Sequence, residues 1–217
     1  MLTVAALRSH KCTLFPFTAC LTAYRPNGTK CINLNRIRAR HTLCSSGRLA
    51  RSGTQKMTVF TIGYEGIDID AFVSLLSEHG VEIVVDIREL PLSRKPGFSK
   101  KALGNILNLS GYEYLHMAAL GCPKPVRERY RDDSNWACYT EGFLAHLKTQ
   151  ENAIAELAGL VASSNCALMC YEADYNFCHR SLVANAIRDC SGAGIEHIKA
   201  KGARTMSPVA SPRAVFA

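Results

Sequence analysis

The sequence predicts one α/β domain, a three-layer sandwich in which helices cover both faces of a mostly parallel, five-stranded sheet. From residue 57 onward, short apolar runs alternate with amphipathic stretches, the pattern of strands joined by crossover helices. The 217 residues are 47% hydrophobic and 20% charged, which is typical of a globular chain that buries one core. We predict that the domain spans residues 57–199.

The first strand, helix and second strand follow one another directly. Residues 58–62 predict a strand, and Asp68 is a suitable N-cap for a helix that Gly80 would end. Residues 81–85 predict the second strand. The loop at residues 89–98 contains two prolines and a glycine and is therefore expected to be irregular.

The same alternation continues to the end of the domain. Ser99 is expected to cap a helix that stops at Gly111, and residues 112–116 predict the third strand. Residues 117–139 are rich in Pro, Arg and Asp and predict a long lid or binding loop. Thr140 is expected to cap the longest helix. The remaining strand, helix and strand are predicted at residues 166–170, 178–190 and 195–198.

The positive charge of the chain is concentrated before this domain. The net charge is +8, but residues 1–56 contain ten Lys or Arg and no acid, which leaves residues 57–217 at −2. The leader lacks the apolar core and cleavage site of a secretory signal and fits a transit peptide only in its Arg-rich, acid-free composition. We expect residues 1–56 to be disordered or to lie outside the true reading frame, and residues 200–217 to be a disordered tail.

The location of the protein follows from what the sequence lacks. No window approaches the roughly 20 apolar residues of a membrane span, so no membrane association is expected. Several cysteines of the domain fall in apolar strand-like or helix-like runs, where reduced thiols are commoner than disulfides. We therefore expect a cytoplasmic protein.

Polar and reactive residues directly follow the predicted strands. Ligands of open α/β sheets bind beyond the carboxyl ends of the strands, so these side chains are expected to converge on one edge. The residues after strands one to four are Tyr64 and Glu65, Asp86 and Arg88, His116, and Cys170 and Glu172.

Cys178, His179 and Arg180 form the second half of this predicted site. If Asn176 caps the last helix, the three residues occupy its first turn, where free N–H groups and the helix dipole bind anions and lower a thiol pKa. A structural alternative stays open, in which Cys178 fills the core, His179 is hydrogen-bonded there and Arg180 pairs with a carboxylate.

Eight short motifs in this order resemble the domain-of-unknown-function family 488. The motifs are Thr61-Ile62-Gly63-Tyr64-Glu65, Val85-Asp86-Ile87-Arg88, Pro91-Leu92-Ser93-Arg94, Phe98-Ser99-Lys100, Tyr114-Leu115-His116, Leu120-Gly121, Cys170-Tyr171-Glu172 and Cys178-His179-Arg180-Ser181. Two features depart from the family pattern: Cys122 and Pro123 follow Leu120-Gly121 where a second glycine is expected, and the leader has no counterpart. The resemblance implies the fold and the site, and it implies no activity.

The first functional hypothesis is an enzyme that acts on a nucleotide or another anionic small molecule. A thiol nucleophile, an acid/base histidine, orienting carboxylates and an arginine clamp would divide the work. In that order the candidates are Cys178 or Cys170, His179 or His116, Glu172 and Asp86, and Arg88, Arg94 and Arg180. Tyr64, Glu65 and Ser93 complete the predicted ligand contacts.

A metal-binding enzyme is the first alternative. Cys170, Cys178, His179 and His116 could supply sulfur and imidazole ligands, although the closely spaced cysteine pair of familiar zinc sites is missing. A rhodanese-like sulfurtransferase is disfavoured, because Arg180 lies ten positions beyond Cys170 and two beyond Cys178, and neither spacing makes the short anion-cradling loop.

A non-catalytic nucleotide or nucleic-acid binding module is the other alternative. The near-neutral domain argues against a broad contact with a phosphate backbone. A local basic patch is still available at Lys95, Lys100, Lys101, Lys124, Arg127, Arg129 and Arg131. No cofactor is evident, because neither a glycine-rich phosphate loop nor G-x-G-x-x-G is present.

Overall fold

The predicted parallel sheet is present in the structure, a computed structural model that describes residues 57–199. The predictions for residues 1–56 and 200–217 fall outside the described residues. Five strands form one sheet in the order β3-β2-β4-β1-β5, with every neighbouring pair parallel. The strands are β1 Thr58–Gly63, β2 Ile83–Asp86, β3 Glu113–His116, β4 Cys166–Cys170 and β5 Gly194–Ile198.

Helices cover both faces of this sheet, as predicted. Their bounds are α1 Ile69–Glu78, α2 Lys100–Leu109, α3 Lys124–Asp133, α4 Trp136–Lys148, α5 Glu151–Ser163 and α6 His179–Ser191. The apolar side chains of α1 and α2 share one core cluster, and those of α4, α5 and α6 share the other. Alternate residues of β4 enter different clusters, since Ala167 and Met169 face α1 and α2 whereas Cys166 and Leu168 face α4 to α6.

The ends of α1 match the sequence prediction. The Asp68 carboxylate accepts a hydrogen bond from the Ala71 N–H at 2.8 Å, and Gly80 follows the helix with φ +59°. Ser99 occupies the N-cap position of α2 without a side-chain capping bond, and Gly111 follows that helix with φ +86°. The second strand is shifted from the predicted residues 81–85 to Ile83–Asp86.

The prediction of a long loop at residues 117–139 is wrong. Its middle is the helix α3, preceded by a short 3₁₀ turn at Ala118–Leu120. No residue of α3 is fully buried and the sequence of the helix is mostly charged, so only Val126 and Tyr130, which pack partly buried against the core, mark its apolar side. Pro125 stands at the tolerated start of the helix, and Ser134 ends it in the left-handed conformation.

The prediction of one long helix capped by Thr140 is also wrong. The segment forms two helices, α4 and α5, which are separated at residues 149–150, where no glycine or proline marks the break. Asn135 caps α4 by accepting hydrogen bonds from the Ala137 and Cys138 N–H groups. Thr140 lies inside the helix, and its buried hydroxyl has no hydrogen-bond partner among the described residues.

The central strand β4 is flanked by strands whose connections run to the opposite face. The chain leaves β1 and β2 toward α1 and α2, and it leaves β4 toward α6 on the other side. Such a divergence opens a crevice at the carboxyl edge of a parallel sheet. None of the helices described within residues 57–199 has the length and apolar character needed to cross a bilayer.

Candidate functional site

The carboxyl ends of β1 and β4 lie side by side and are packed at the backbone. Gly63 pairs with Cys170 in the last register position of the two strands. A β-carbon built on Gly63 would lie 1.8 Å from the carbonyl oxygen of Glu172. Glycine is therefore required at this position, because the loop that leaves β4 passes directly over the end of β1.

Arg180 holds that loop through hydrogen bonds to its backbone. Its side chain is 1% exposed, and Nη1 and Nη2 donate to the backbone carbonyls of Glu172 and Ala173. Its Nε is buried without a hydrogen-bond partner in the described part of the chain. The guanidinium therefore holds the backbone on which Glu172 stands, and two of its three nitrogens are committed to that task.

Four reactive side chains lie close together next to this loop. Cys170 Sγ and Cys178 Sγ lie 2.8 and 2.9 Å from the same Glu172 oxygen, Oε2. His179 Nδ1 lies 3.7 Å from Cys170 Sγ and 4.0 Å from Cys178 Sγ. One ligand atom from each side chain lies within 4.8 Å of every other. The sequence-predicted cysteines, glutamate and histidine thus form one cluster, defined here as Cys170, Glu172, Cys178 and His179.

The ring of His179 is oriented by its second nitrogen. Nε2 lies 3.1 Å from the backbone carbonyl oxygen of Ile87, at the end of β2, and can only donate a proton to it. In the neutral ring, Nδ1 then carries the lone pair and points toward the two sulfurs. The helix begins at His179 with Cys178 as its N-cap, whereas the predicted cap, Asn176, lies in a 3₁₀ turn at Tyr175–Phe177.

Burial and mutual contact shift the pKa values within the cluster. Burial, reinforced by the charge of Cys178, raises the pKa of Glu172 to about 8. Burial and the Cys178 thiol raise the pKa of Cys170 well above its usual value. Burial also opposes ionisation of Cys178, but hydrogen bonding from Cys170 and the charge of Arg180 outweigh it and hold this pKa well below the ordinary thiol value.

A second buried network lies next to the cluster, around Asp86 and Arg88. Arg88 Nε and Nη2 donate to the two oxygens of the fully buried Asp86 carboxylate at 2.8 and 2.6 Å, and Nη1 donates to Tyr64 Oη at 2.8 Å. Tyr114 Oη donates to Asp86 Oδ2 at 2.7 Å. This bidentate ion pair saturates the Asp86 carboxylate, which therefore has no free oxygen for acid/base chemistry.

A cavity of about 350 Å³ opens beside the cluster. Cys170, Glu172 and His179 form part of its wall, while Cys178 is not among the residues that line it. The aromatic rings of Tyr64, Tyr139 and Tyr171 and the side chains of Leu90 and Leu92 contribute the apolar wall. The three basic residues of the wall are Arg88, Arg127 and Arg131.

Besides Cys178, Asp86 and Arg180, four further residues of the predicted site do not line this cavity. Glu65 accepts a hydrogen bond from the Ala173 N–H at 2.9 Å, and Ser93 accepts one from the Lys95 N–H at 3.1 Å. Arg94 is exposed. His116 bonds to the Arg88 carbonyl through Nε2 at 2.8 Å and to Lys100 through Nδ1 at 2.9 Å, and it does not belong to the four-residue cluster.

The arginine clamp that the sequence predicted is not assembled. Arg88 and Arg180 lie at the same edge of the sheet, but both guanidiniums bond to groups of the protein, and Arg94 is elsewhere. The cavity instead contains two arginines that sequence reasoning placed in a loop patch. Their i, i+4 spacing puts them on one face of α3, but the spacing has this meaning only in a helix, and the segment was predicted to be a loop.

Cys122 and Tyr139 are among the wall residues that the sequence did not predict for the site. Burial raises the pKa of Cys122 to about 12, so this thiol is neutral. Its neighbour Gly121 lies close to the residues that follow β2: a β-carbon built on Gly121 would lie 2.3 Å from the Glu89 nitrogen. The short run Leu120-Gly121, which the sequence offered only as a family motif, thus directly precedes the wall residue Cys122.

Fold and site together define a parallel α/β protein with a Cys-Glu-Cys-His cluster at the carboxyl edge of its sheet. A family model described as "Domain of unknown function DUF488" matches residues 68–187, which is more than half of the chain. The chain therefore belongs to this family. Neither the curated proteins nor the solved structures yielded a match.

Proposed function

We propose that the protein is a zinc-dependent enzyme whose metal ion is bound by Cys170, Cys178 and His179, with Glu172 as its proton-transferring group. The observation that carries the proposal is the convergence of two sulfurs, one imidazole nitrogen and one carboxylate oxygen within 4.8 Å. Thiolate and imidazole ligands favour zinc among the common divalent ions.

The distances within the cluster support three ligands and a separate carboxylate. Two ligands of a tetrahedral zinc ion are about 3.5 Å apart, given Zn–S and Zn–N bonds of roughly 2.3 and 2.0 Å. The sulfurs lie 3.7 and 4.0 Å from His179 Nδ1, close to that separation. The Glu172 oxygen lies only 2.8 and 2.9 Å from them, a hydrogen-bonding distance.

The surroundings of the cluster also suit a bound metal ion. Histidine ligands in metalloproteins usually donate their second ring N–H to a carbonyl or carboxylate, as His179 does toward Ile87. Two thiolates would neutralise a divalent ion, which suits a site that is closed to solvent on the Cys178 side. Cys170 and Glu172 face the cavity, so a fourth coordination position could be reached by substrate.

A hydrolytic reaction fits these groups. Cys170, Cys178 and His179 would hold the metal ion, which would supply Lewis acidity. Glu172 would accept a proton from a water molecule whose oxygen attacks an electrophilic carbon or phosphorus of the substrate. The bond to the leaving group then breaks, and Glu172 returns the proton to that group, so that one water is consumed and the enzyme is restored.

A cysteine nucleophile, the first hypothesis from sequence, finds less support. The thiol with the lowered pKa is Cys178, which does not line the cavity. The thiol at the cavity is Cys170, whose pKa is raised. A nucleophile needs both ionisation and access, and these properties are divided between two residues.

Metal analysis of the full chain tests the proposal. We expect one zinc per chain after purification without chelators, and loss of that zinc in Cys178→Ser and in His179→Ala. Glu172→Gln should retain it, because the glutamate is not a ligand. Cys190→Ser is the matched control, since Cys190 is an exposed cysteine at the end of the same helix, away from the cluster.

Two results would contradict the proposal. A wild-type chain that binds no zinc, either as purified or after zinc addition, would remove the metal site. Loss of zinc from Glu172→Gln as well would make the glutamate a fourth ligand, and a closed four-ligand site is structural rather than catalytic.

A further inference from the structure

The arginines in the wall of the cavity already have partners within the protein. Arg88 forms a bidentate ion pair with Asp86, and Arg127 is paired with Glu89, which is itself part of the wall. Arg131 also interacts within the chain. An anionic ligand would therefore have to compete with an internal partner at each arginine, and a cationic ligand would meet the same competition at Glu89.

The inner wall is formed by uncharged aromatic and thiol side chains. Tyr64, Cys122 and Tyr139 line the cavity and are at most 7% exposed. Burial raises the pKa of each of these side chains, so all three stay uncharged at neutral pH. The ring of Tyr64 stacks on Phe98 with centroids 4.2 Å apart. The ring of Tyr139 stacks on Trp136 at 4.8 Å. The inner wall is thus a supported aromatic surface.

The outer wall contains two exposed leucines. Leu90 and Leu92 lie in the segment between β2 and α2 and are 59% and 74% exposed. A single exposed leucine needs no explanation, but here two of them line the same cavity. A ligand that covers them would remove their apolar surface from water, which stabilises the complex.

The reactive part of the wall is small and lies at the cluster. Cys170, Glu172 and His179 are the cluster residues that line the cavity. The cavity volume of about 350 Å³ is at the small end of the range for small-molecule sites. A compact molecule fits this wall if its body is apolar and its one polar, reacting group lies at the cluster.

We infer that the cavity selects an uncharged ester or amide whose aromatic or alkyl body contacts Leu90, Leu92 and Tyr139. This inference rests on the proposed function for the hydrolytic reaction and decides between its two electrophiles, because phosphate monoesters and diesters are anions. The water oxygen would bond to the carbonyl carbon and the bond to the leaving oxygen or nitrogen would break. The leaving atom would take the proton that Glu172 returns, so that one water is consumed.

Fluorescence titration with 2-naphthol and naphthalene-2-sulfonate tests this selection by binding alone. The two probes share one ring system, and at neutral pH only the sulfonate is charged. We expect the zinc-loaded wild-type chain to bind 2-naphthol with saturation and to bind the sulfonate at least ten times more weakly. Equal or tighter binding of the sulfonate, or no binding of 2-naphthol, would overturn the inference.

Two aspartate variants locate the binding. Leu92→Asp should bind 2-naphthol at least five times more weakly, because it replaces apolar surface with a charge, whereas Leu92→Met should keep most of the affinity. Leu109→Asp is the matched control, since Leu109 is 89% exposed at the end of α2 and does not line the cavity. Unchanged binding by Leu92→Asp, or equal weakening in both aspartate variants, would contradict the inference.

2-Naphthyl acetate and 2-naphthyl phosphate test the reacting centre with the same ring system. Both release 2-naphthol on hydrolysis, and its fluorescence reports the reaction. We expect the zinc-loaded chain to hydrolyse the acetate, and Glu172→Gln to slow this reaction about a hundredfold. The phosphate should stay intact. Hydrolysis of the phosphate that depends on Glu172 would overturn the choice of carbon as the electrophile.

The inference and the proposed function can fail separately, because zinc is measured in every sample. Binding of 2-naphthol that depends on Leu92 in a chain without zinc supports the selective cavity and contradicts the metal site alone. A zinc-loaded chain that binds 2-naphthol but hydrolyses neither ester supports the metal site and overturns the ester as the reacting group.

Discussion

Gly63→Ala is expected to destabilise the protein by about 3 kcal/mol or more and to abolish zinc binding. The added methyl group would lie 1.8 Å from the Glu172 carbonyl oxygen and 3.0 Å from Arg180 Nη1. Because the first of these contacts is with backbone, no change of side-chain rotamer can relieve it. Either β1 and β4 separate at their ends or the loop after β4 moves, and both displace the cluster. Urea denaturation followed by circular dichroism, together with metal analysis, measures the two effects.

Gly159→Ala provides the control for this substitution. Gly159 lies within α5, and a β-carbon there would meet nothing within 4 Å. We expect a gain in stability of about 0.5–1 kcal/mol, because alanine favours the helix more than glycine does. If Gly63→Ala changed the free energy of unfolding by less than about 1 kcal/mol, the close contact between β1 and the loop would be wrong.

The second large effect is expected for Asp86→Ala. This substitution removes a fully buried carboxylate and leaves the Arg88 cation, 7% exposed, without its counter-charge. Breaking a buried ion pair from one side typically costs about 3–5 kcal/mol, most of it the cost of the uncompensated charge. Tyr114 also loses the acceptor of its hydroxyl. Urea denaturation at neutral pH measures the loss.

A double variant separates the lost ion pair from simple loss of volume. Asp86→Ala combined with Arg88→Met removes both charges, so the chain should be more stable than Asp86→Ala alone. A double variant that is less stable, by the full cost of a second independent substitution, would show that the charge on Arg88 is not the source of the penalty.

The strands and the cluster could be predicted because they follow from short-range patterns. Apolar runs marked all five strands, and the rule that ligand sites lie at carboxyl strand ends selected Cys170 and Glu172. Cys178 and His179 were found because they begin the next helix. Each of these residues is placed by the element on which it lies, without knowledge of distant contacts.

The helical region between β3 and β4 could not be predicted in the same way. No residue of α3 is fully buried and only Val126 and Tyr130 pack partly buried against the core, so the apolar side of the helix is too short to mark it in the sequence, and its two cavity arginines looked like part of a charged loop. The break between α4 and α5 contains neither glycine nor proline, so no helix-ending residue marks it in the sequence.

The roles of the arginines were also beyond the sequence. Arg88 and Arg180 follow the strands as anion-binding residues often do, but an arginine can turn toward a ligand or toward its own protein. Here Arg88 forms an ion pair with Asp86, two residues earlier, and Arg180 donates hydrogen bonds to two backbone carbonyls. Which partner is nearer depends on the path of the loops, and periodicity carries no information about it.

The alternation of faces along β4 limits how this site can change in evolution. Cys166 and Leu168 point toward α4 to α6, and by the same alternation Cys170 points to the side where His179 waits. An insertion or deletion of one residue within the strand would turn Cys170 toward α1 and α2 and separate it from its partners. Single substitutions within β4 leave this alternation unchanged, whereas the number of residues in the strand must stay constant for Cys170 to remain in the cluster.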